Sequence, residues 1–277
     1  MMYNVLALDL DGTVLNSKGK ISQQLRDTIT SIHNGPTHVI LVTGRHHTAA
    51  KPYYYELGLD TTIICCNGTY EYDYHSEKVI QHNAIPKNLA ANFLNLANSY
   101  QLNLVVYIAD AMLYSNSRPI EYMERLKLWS EQYQGHLKPN IQKVDDFHNE
   151  ILNTNHVWKF VVEGSQEALK DFMSEALVQG HFTAERSWVN RFDFAMKGNV
   201  KGTALERYVK KISVSSSQVV AVGDNFNDLS MLQYAGLGIA MKNSADAVKE
   251  HAQLVTEHDH DSEAGLAELL SSIFEHQ

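Results

Sequence analysis

Cysteine is nearly absent. The 277 residues hold two, Cys65 and Cys66, and they are adjacent. Neighbours on one strand point to opposite faces, so the two do not easily bridge each other, and no disulfide framework staples the chain. A reducing compartment, the cytoplasm, is the expected location. Positive charge is also scarce: 23 Lys and Arg stand against 32 Asp and Glu, for a formal net charge of −9. That balance argues against a nucleic-acid binder held by phosphate contacts and against a polybasic membrane anchor. No apolar run approaches the roughly 18–20 residues needed to span a bilayer. The short apolar run after Met1 and Met2 is broken by Asp9 and Asp11, unlike a signal peptide. Internal repeats and low-complexity tracts are missing, as are the Gly-x-Ser-x-Gly elbow, the Gly-x-Gly-x-x-Gly turn and the Walker loop. An acidic chain that handles an anion must supply positive charge locally, through a metal ion, a lysine or a helix N-terminus.

What is present suits a folded enzyme: 44% hydrophobic residues, 20% charged, and a length above one average domain. Val5–Leu8 reads as a buried strand stopping at Asp9-Leu10-Asp11-Gly12-Thr13. Ser22 suits the cap of a helix running to about His33, and His38–Val42 is a second strand ending in Thr43-Gly44-Arg45. A helix over about 48–57 and a strand over 61–66 continue the alternation, which implies parallel pairing in an open sheet. From about 84 to 190 the pattern changes to helices near 87–100, 120–132 and 166–177 with short strands at 104–108 and 157–163. The alternation resumes with a helix at 202–212, a strand at 219–222 ending in Gly223-Asp224-Asn225, a helix at 227–235, short strands at 238–241 and 254–256, and a terminal helix at 265–274. The expected fold is therefore α/β: a doubly wound, Rossmann-like parallel-sheet core over 1–83 and 191–277, with an inserted α+β domain over 84–190.

Ligands of open parallel sheets bind at the carboxyl ends of the strands. Asp9 and Asp11, Thr43 and Gly44, and Asp224 and Asp228 all follow such ends, so they are expected to converge. Each feature alone has an ordinary reading: Asp-x-Asp-Gly as a turn, Thr43-Gly44 as a helix entry, Gly223-Asp224-Asn225 as a cap, Lys201 as a solvated charge. Together in one sheet they describe a site. Crowded carboxylates repel, and a hard divalent cation such as Mg²⁺ relieves them, with Asp9 and Asp224 the natural ligands. Two acids can also serve as nucleophile and general acid/base. Thr43, Gly44 and Lys201 suit phosphate oxygens. His46 and His47 point in different directions from a helix, so at most one is expected at a ligand. The tract His258-Asp259-His260-Asp261 reads as a hydrated loop in preference to a metal site, and Cys65 and Cys66 as packing residues. No single aromatic of the insert, Tyr107, Trp158 and Trp188 among them, is assigned to a substrate; core packing is the commoner role.

Asp9-Leu10-Asp11-Gly12-Thr13, Thr43-Gly44-Arg45, Lys201-Gly202 and Gly223-Asp224-Asn225-Phe226-Asn227-Asp228 resemble, in order, the four motifs of the haloacid-dehalogenase-like hydrolases. The large insert is similar to the cap of the Cof-type subfamily. The resemblance implies that Asp9 is the nucleophile, forming an aspartyl-phosphate, and Asp11 the general acid/base. It implies Mg²⁺ held by Asp9, the Asp11 carbonyl and Asp224, phosphate bound by the Leu10 backbone, Thr43, Gly44, Lys201 and Asn227, and Asp228 as a supporting residue. The cap would exclude water and read the leaving group. Thr43-Gly44-Arg45-His46-His47, Ile64-Cys65-Cys66-Asn67-Gly68-Thr69-Tyr70 and Asn155-His156-Val157-Trp158-Lys159-Phe160 resemble the pyridoxal phosphate phosphatases of that subfamily, which makes pyridoxal 5′-phosphate the leading substrate among small phosphorylated metabolites. Rival expectations are a sugar- or nucleotide-phosphate phosphatase, a phosphomutase and a non-catalytic phosphometabolite sensor. An intact Asp9/Asp11 pair speaks against the sensor, which could discard either acid.

Overall fold

The structure, a computed structural model, describes residues 3–274; Met1 and Met2 lie outside them. In chain order the strands are β1 (Val5–Leu8), β2 (His38–Leu41), β3 (Ile63–Cys65), β4 (Tyr70–Asp73), β5 (Lys78–His82), β6 (Asn103–Ile108), β7 (Met112–Ser115), β8 (Ile141–Val144), β9 (Val157–Glu163), β10 (Phe182–Trp188), β11 (Arg191–Met196), β12 (Val219–Gly223), β13 (Leu237–Ala240) and β14 (Leu254–Val255). By its contacts the chain divides into two units. Among the described residues the first comprises 3–44, 53–80 and 200–274, the second 45–52 and 81–199.

The first unit carries an all-parallel sheet in the order β14-β13-β12-β1-β2. A parallel bridge between Val42 and Ile64 joins β3 beside β2. Every residue of β1 and β12 is buried, as continuous apolar runs covered on both faces require. Helix Gln23–His33 starts where the sequence indicates: the Ser22 hydroxyl accepts from the Leu25 amide, and Leu25 and Ile29 are buried. On one side the core joins Val5, Ala7, Ile40, Leu205, Val209, Val219, Ala221 and Leu232.

The second unit is α+β. Its six-stranded sheet runs β10-β11-β9-β6-β7-β8, antiparallel except for β7 with β8. Helices Lys87–Ser99, Phe147–Asn153 and Gln166–Ser174 contribute to one core, centred on Phe93. Its ring stacks on Phe160 at 4.4 Å and meets Phe172, Phe182 and Phe194 at 4.6–5.3 Å. The return crossing expected at 190/191 differs from the contact-defined one at 199/200. The reason is β11, which pairs with both β9 and β10 and so stays with the six-stranded sheet. The hairpin strands β4, β5 and β10 carry no clear alternation of buried apolar residues; β5 is exposed along most of its length.

Candidate active site

The parallel register aligns the strand ends. Leu8 stands level with Leu41 on one side and Val222 on the other. The next residues, Asp9, Val42-Thr43 and Gly223-Asp224, therefore leave the sheet at one height. The Asp9 amide still donates to the Val222 carbonyl (3.0 Å), and the Thr43 amide to Ile64 (2.9 Å), which holds the residue after each strand in place.

Carboxylate oxygens of Asp9, Asp224 and Asp228 lie within 4.8 Å of one another, close enough to share one cation. Asp9 is 5% exposed and Asp228 fully buried. Lys201, also fully buried, donates to Asp9 Oδ1 at 2.6 Å and to Asp228 Oδ1 at 2.5 Å. Asp228 Oδ2 accepts from the Asp224 and Asn225 amides at 2.9 and 3.0 Å, so this carboxylate ties Lys201 to the loop after β12. Burial raises Asp9 well above the usual carboxylate range; Lys201 opposes the shift, and Asp228, Asp224 and Asp11 add to it. Asp224 is pushed up to about 7 by burial and by Asp228. Burial pulls the Lys201 ammonium down, but Asp228 and Asp9 outweigh it, and its pKa ends above the ordinary lysine value. One lysine does not offset this many acids, and all the donors are hard oxygens. A divalent cation such as Mg²⁺ fits such a set.

Asp11 is exposed, unlike Asp9. Between them the Leu10 side chain is fully buried, which leaves only its backbone for a ligand. Gly12 follows with φ +81°, and a Cβ there would fall 2.3 Å from Asp224 Oδ2. Thr43 is fully buried at the end of β2. Gly44 faces Asn67, whose Oδ1 also accepts from Asn227 Nδ2 (3.1 Å). The first unit thus gathers Asp9, Asp11, Thr43, Gly44, Lys201, Asn227 and the two later acids.

Three neighbours were not singled out in the sequence. The Thr13 hydroxyl donates to Asp224 Oδ1 at 3.4 Å. Asn243 Nδ2 donates to the Gly12 carbonyl (2.9 Å) and to Asp224 Oδ2 (3.3 Å). Asn67 is the third. The available signal was position: Asn243 follows β13 of the same sheet, and Asn67-Gly68 follows β3. The tract 258–261 serves as a tether, with Asp261 Oδ1 accepting from the Ser17 amide (2.8 Å) and the His260 amide donating to Asn243 Oδ1 (3.3 Å). Cys65 and Cys66 are buried and form no disulfide among the described residues.

In the second unit, His46 is buried, with Nδ1 2.9 Å from the Thr48 hydroxyl and Nε2 2.9 Å from the Ile108 carbonyl. Burial holds its pKa down to about 4, and lowers that of His47 as well. Trp158 is fully buried and donates to the Ala109 carbonyl, Tyr107 is 7% exposed, and Trp188 is 63% exposed. Lys159, paired with Asp193, lies 4.6 Å from the Tyr107 ring centre.

A family model described as haloacid dehalogenase-like hydrolase matches residues 6–270. The chain is 36% identical over 256 residues to a pyridoxal phosphate phosphatase of Escherichia coli, covering 92% of this chain and 93% of that protein. It is 25% identical over 275 residues to a 5-amino-6-(5-phospho-D-ribitylamino)uracil phosphatase of Bacillus subtilis, covering 98% and 97%. A haloacid dehalogenase-like hydrolase from Bacteroides thetaiotaomicron superposes with a TM-score of 0.83 at 28% identity, covering 98% of this chain and 100% of the other. A sheet whose aligned strand ends deliver acids from both ends of the sequence to one point agrees with these matches, and the chain belongs to the haloacid dehalogenase-like hydrolases.

Proposed function

We propose that this phosphoric monoester hydrolase acts on small phosphorylated metabolites in the cytoplasm, with pyridoxal 5′-phosphate the leading substrate and Mg²⁺ the cofactor. The observation that carries the chemistry is the meeting of Asp9, Asp224 and Asp228 around Lys201 at the ends of β1 and β12. The 36% identity to a pyridoxal phosphate phosphatase supports the substrate. The unbridged thiols support a reducing compartment. No helix among the described residues is long and apolar enough to cross a membrane.

In this reading an Asp9 oxygen attacks phosphorus, and the ester oxygen leaves with a proton from Asp11. Asp11 then takes a proton from the water that hydrolyses the aspartyl-phosphate. The two acids differ in setting, Asp9 buried against a lysine and Asp11 exposed, which suits one for attack and the other for proton exchange. The Leu10 and Gly44 amides, the Thr43 hydroxyl, the Asn227 amide and Lys201 hold the phosphoryl oxygens and offset their charge. Mg²⁺, held by Asp9, the Asp11 carbonyl and Asp224, would supply further positive charge to those oxygens. Asp228 keeps Lys201 aimed at Asp9.

A panel of phosphorylated metabolites, ranked by kcat/KM, tests the assignment. Pyridoxal 5′-phosphate is expected near the top. Hexose or nucleotide phosphates ahead by more than about tenfold would replace the substrate and leave the hydrolase class standing.

A further inference from the structure

We propose that Asn67 is a positioning residue of the phosphate site, through which a strained turn sets Thr43, Gly44 and Asn227; the inference rests on the phosphatase reading above. Three consecutive residues after β3 have left-handed backbones: Cys66 at φ 49°, Asn67 at 56° and Gly68 at 89°. Only the last is glycine, and such strain persists where surrounding structure imposes it. An asparagine tolerates this backbone because its amide can bond locally. Here the amide reaches 160 positions along the chain instead, and Asn67 Oδ1 accepts from Asn227 Nδ2 at 3.1 Å. That nitrogen carries two hydrogens in a fixed plane, so committing one sets the direction of the other.

The same turn contacts the other phosphate-side segments. The Asn67 amide donates to the Thr43 carbonyl at 3.0 Å. Asn67 Oδ1 lies 2.8 Å from where a Cβ on Gly44 would sit, so Asn67 is what confines that position to glycine. A Cβ on Gly68 would lie 2.5 Å from the carbonyl of Val200, the residue before Lys201, and Arg207 donates to the Gly68 carbonyl at 3.3 Å. Asn67 is 5% exposed. A buried residue kept in a strained backbone, bonded through its side chain to Asn227 and through its backbone to Thr43, fixes the geometry of both segments. It acts through them and not on the reacting atoms.

A double-mutant cycle in the Mg²⁺-loaded enzyme tests this, using p-nitrophenyl phosphate as substrate and inorganic phosphate as inhibitor. Asn67→Gly keeps the left-handed backbone and removes the amide. It is expected to raise KM and the phosphate inhibition constant by about tenfold, with kcat changed less than about threefold. Gly44→Ala alone should weaken phosphate binding by a similar factor. Added to Asn67→Gly it should cost less than about twofold, because the atom it collides with is gone. Independent, multiplicative effects overturn the proposal. So does an Asn67→Gly protein with unchanged KM and inhibition constant and only a lowered Tm, which is the behaviour of a folding residue. Wild-type turnover in the same assay tests the phosphatase reading separately.

Discussion

At Asp9, burial and the neighbouring acids disfavour the charged carboxylate while Lys201 opposes them, and the substitutions that remove either side of that balance differ in outcome. Asp9→Asn removes the proposed nucleophile while keeping its shape, and phosphate release from an aryl phosphate should fall to background; retained turnover would take Asp9 out of that role. Lys201→Met leaves Asp9 and Asp228 buried without their partner. Breaking a buried pair in this way costs about 3–5 kcal/mol, measurable by denaturant unfolding, and a loss under about 1 kcal/mol would contradict the balance described. Asp224 gives the pH dependence. Its pKa is raised from 3.8 to about 7, so the folded protein holds a proton there that the unfolded chain releases. Stability from this group is therefore present at low pH and lost as pH rises through that window in the metal-free protein. Metal affinity has the opposite sign: below about 7 protons compete, and the apparent Kd for Mg²⁺ should rise as pH falls. A Kd independent of pH between 5 and about 7 would remove Asp224 from the ligand set.

Most elements were legible because their signals are local. Ser22 marks its helix start, and β1, β2 and β12 announce themselves as apolar runs ended by acids, glycine or threonine. Where those runs end in Asp9, Thr43 and Asp224, the place of a candidate site follows from strand position alone. Asn67 and Asn243 were harder to see, because an asparagine after a strand reads first as a turn. Their contacts span 160 positions in one case and 231 in the other. The hairpin of β10 and β11 was missed for a different reason: β10 is an edge strand with exposed polar residues and offers little hydrophobic pattern. The second unit's core makes its own prediction. Phe93 is fully buried among four other phenylalanines. Phe93→Ala should destabilise that unit by about 3–5 kcal/mol in denaturant unfolding. A cost under about 1 kcal/mol would mean that this cluster does not hold the six-stranded sheet to its helices.

At the scale of the whole molecule, an acidic chain has to concentrate positive charge where its chemistry needs it. The net charge is −9, yet the site places a fully buried lysine among its acids and leaves room in charge terms for a divalent cation. The class of reaction was legible because the four motifs resemble, in order, those of a known family, and the observed register brings the strand ends that carry Asp9, Thr43 and Asp224 level. The substrate could not be read the same way, since recognition of a leaving group depends on side-chain packing with no sequence period. The most direct measurement of the central claim is mass spectrometry of the enzyme quenched in acid during turnover of a phosphomonoester with Mg²⁺. The account predicts one phosphoryl group on the peptide that carries Asp9, absent from the Asp9→Asn protein. A phosphoryl group on any other peptide, or none on wild-type protein quenched before steady state, would contradict it.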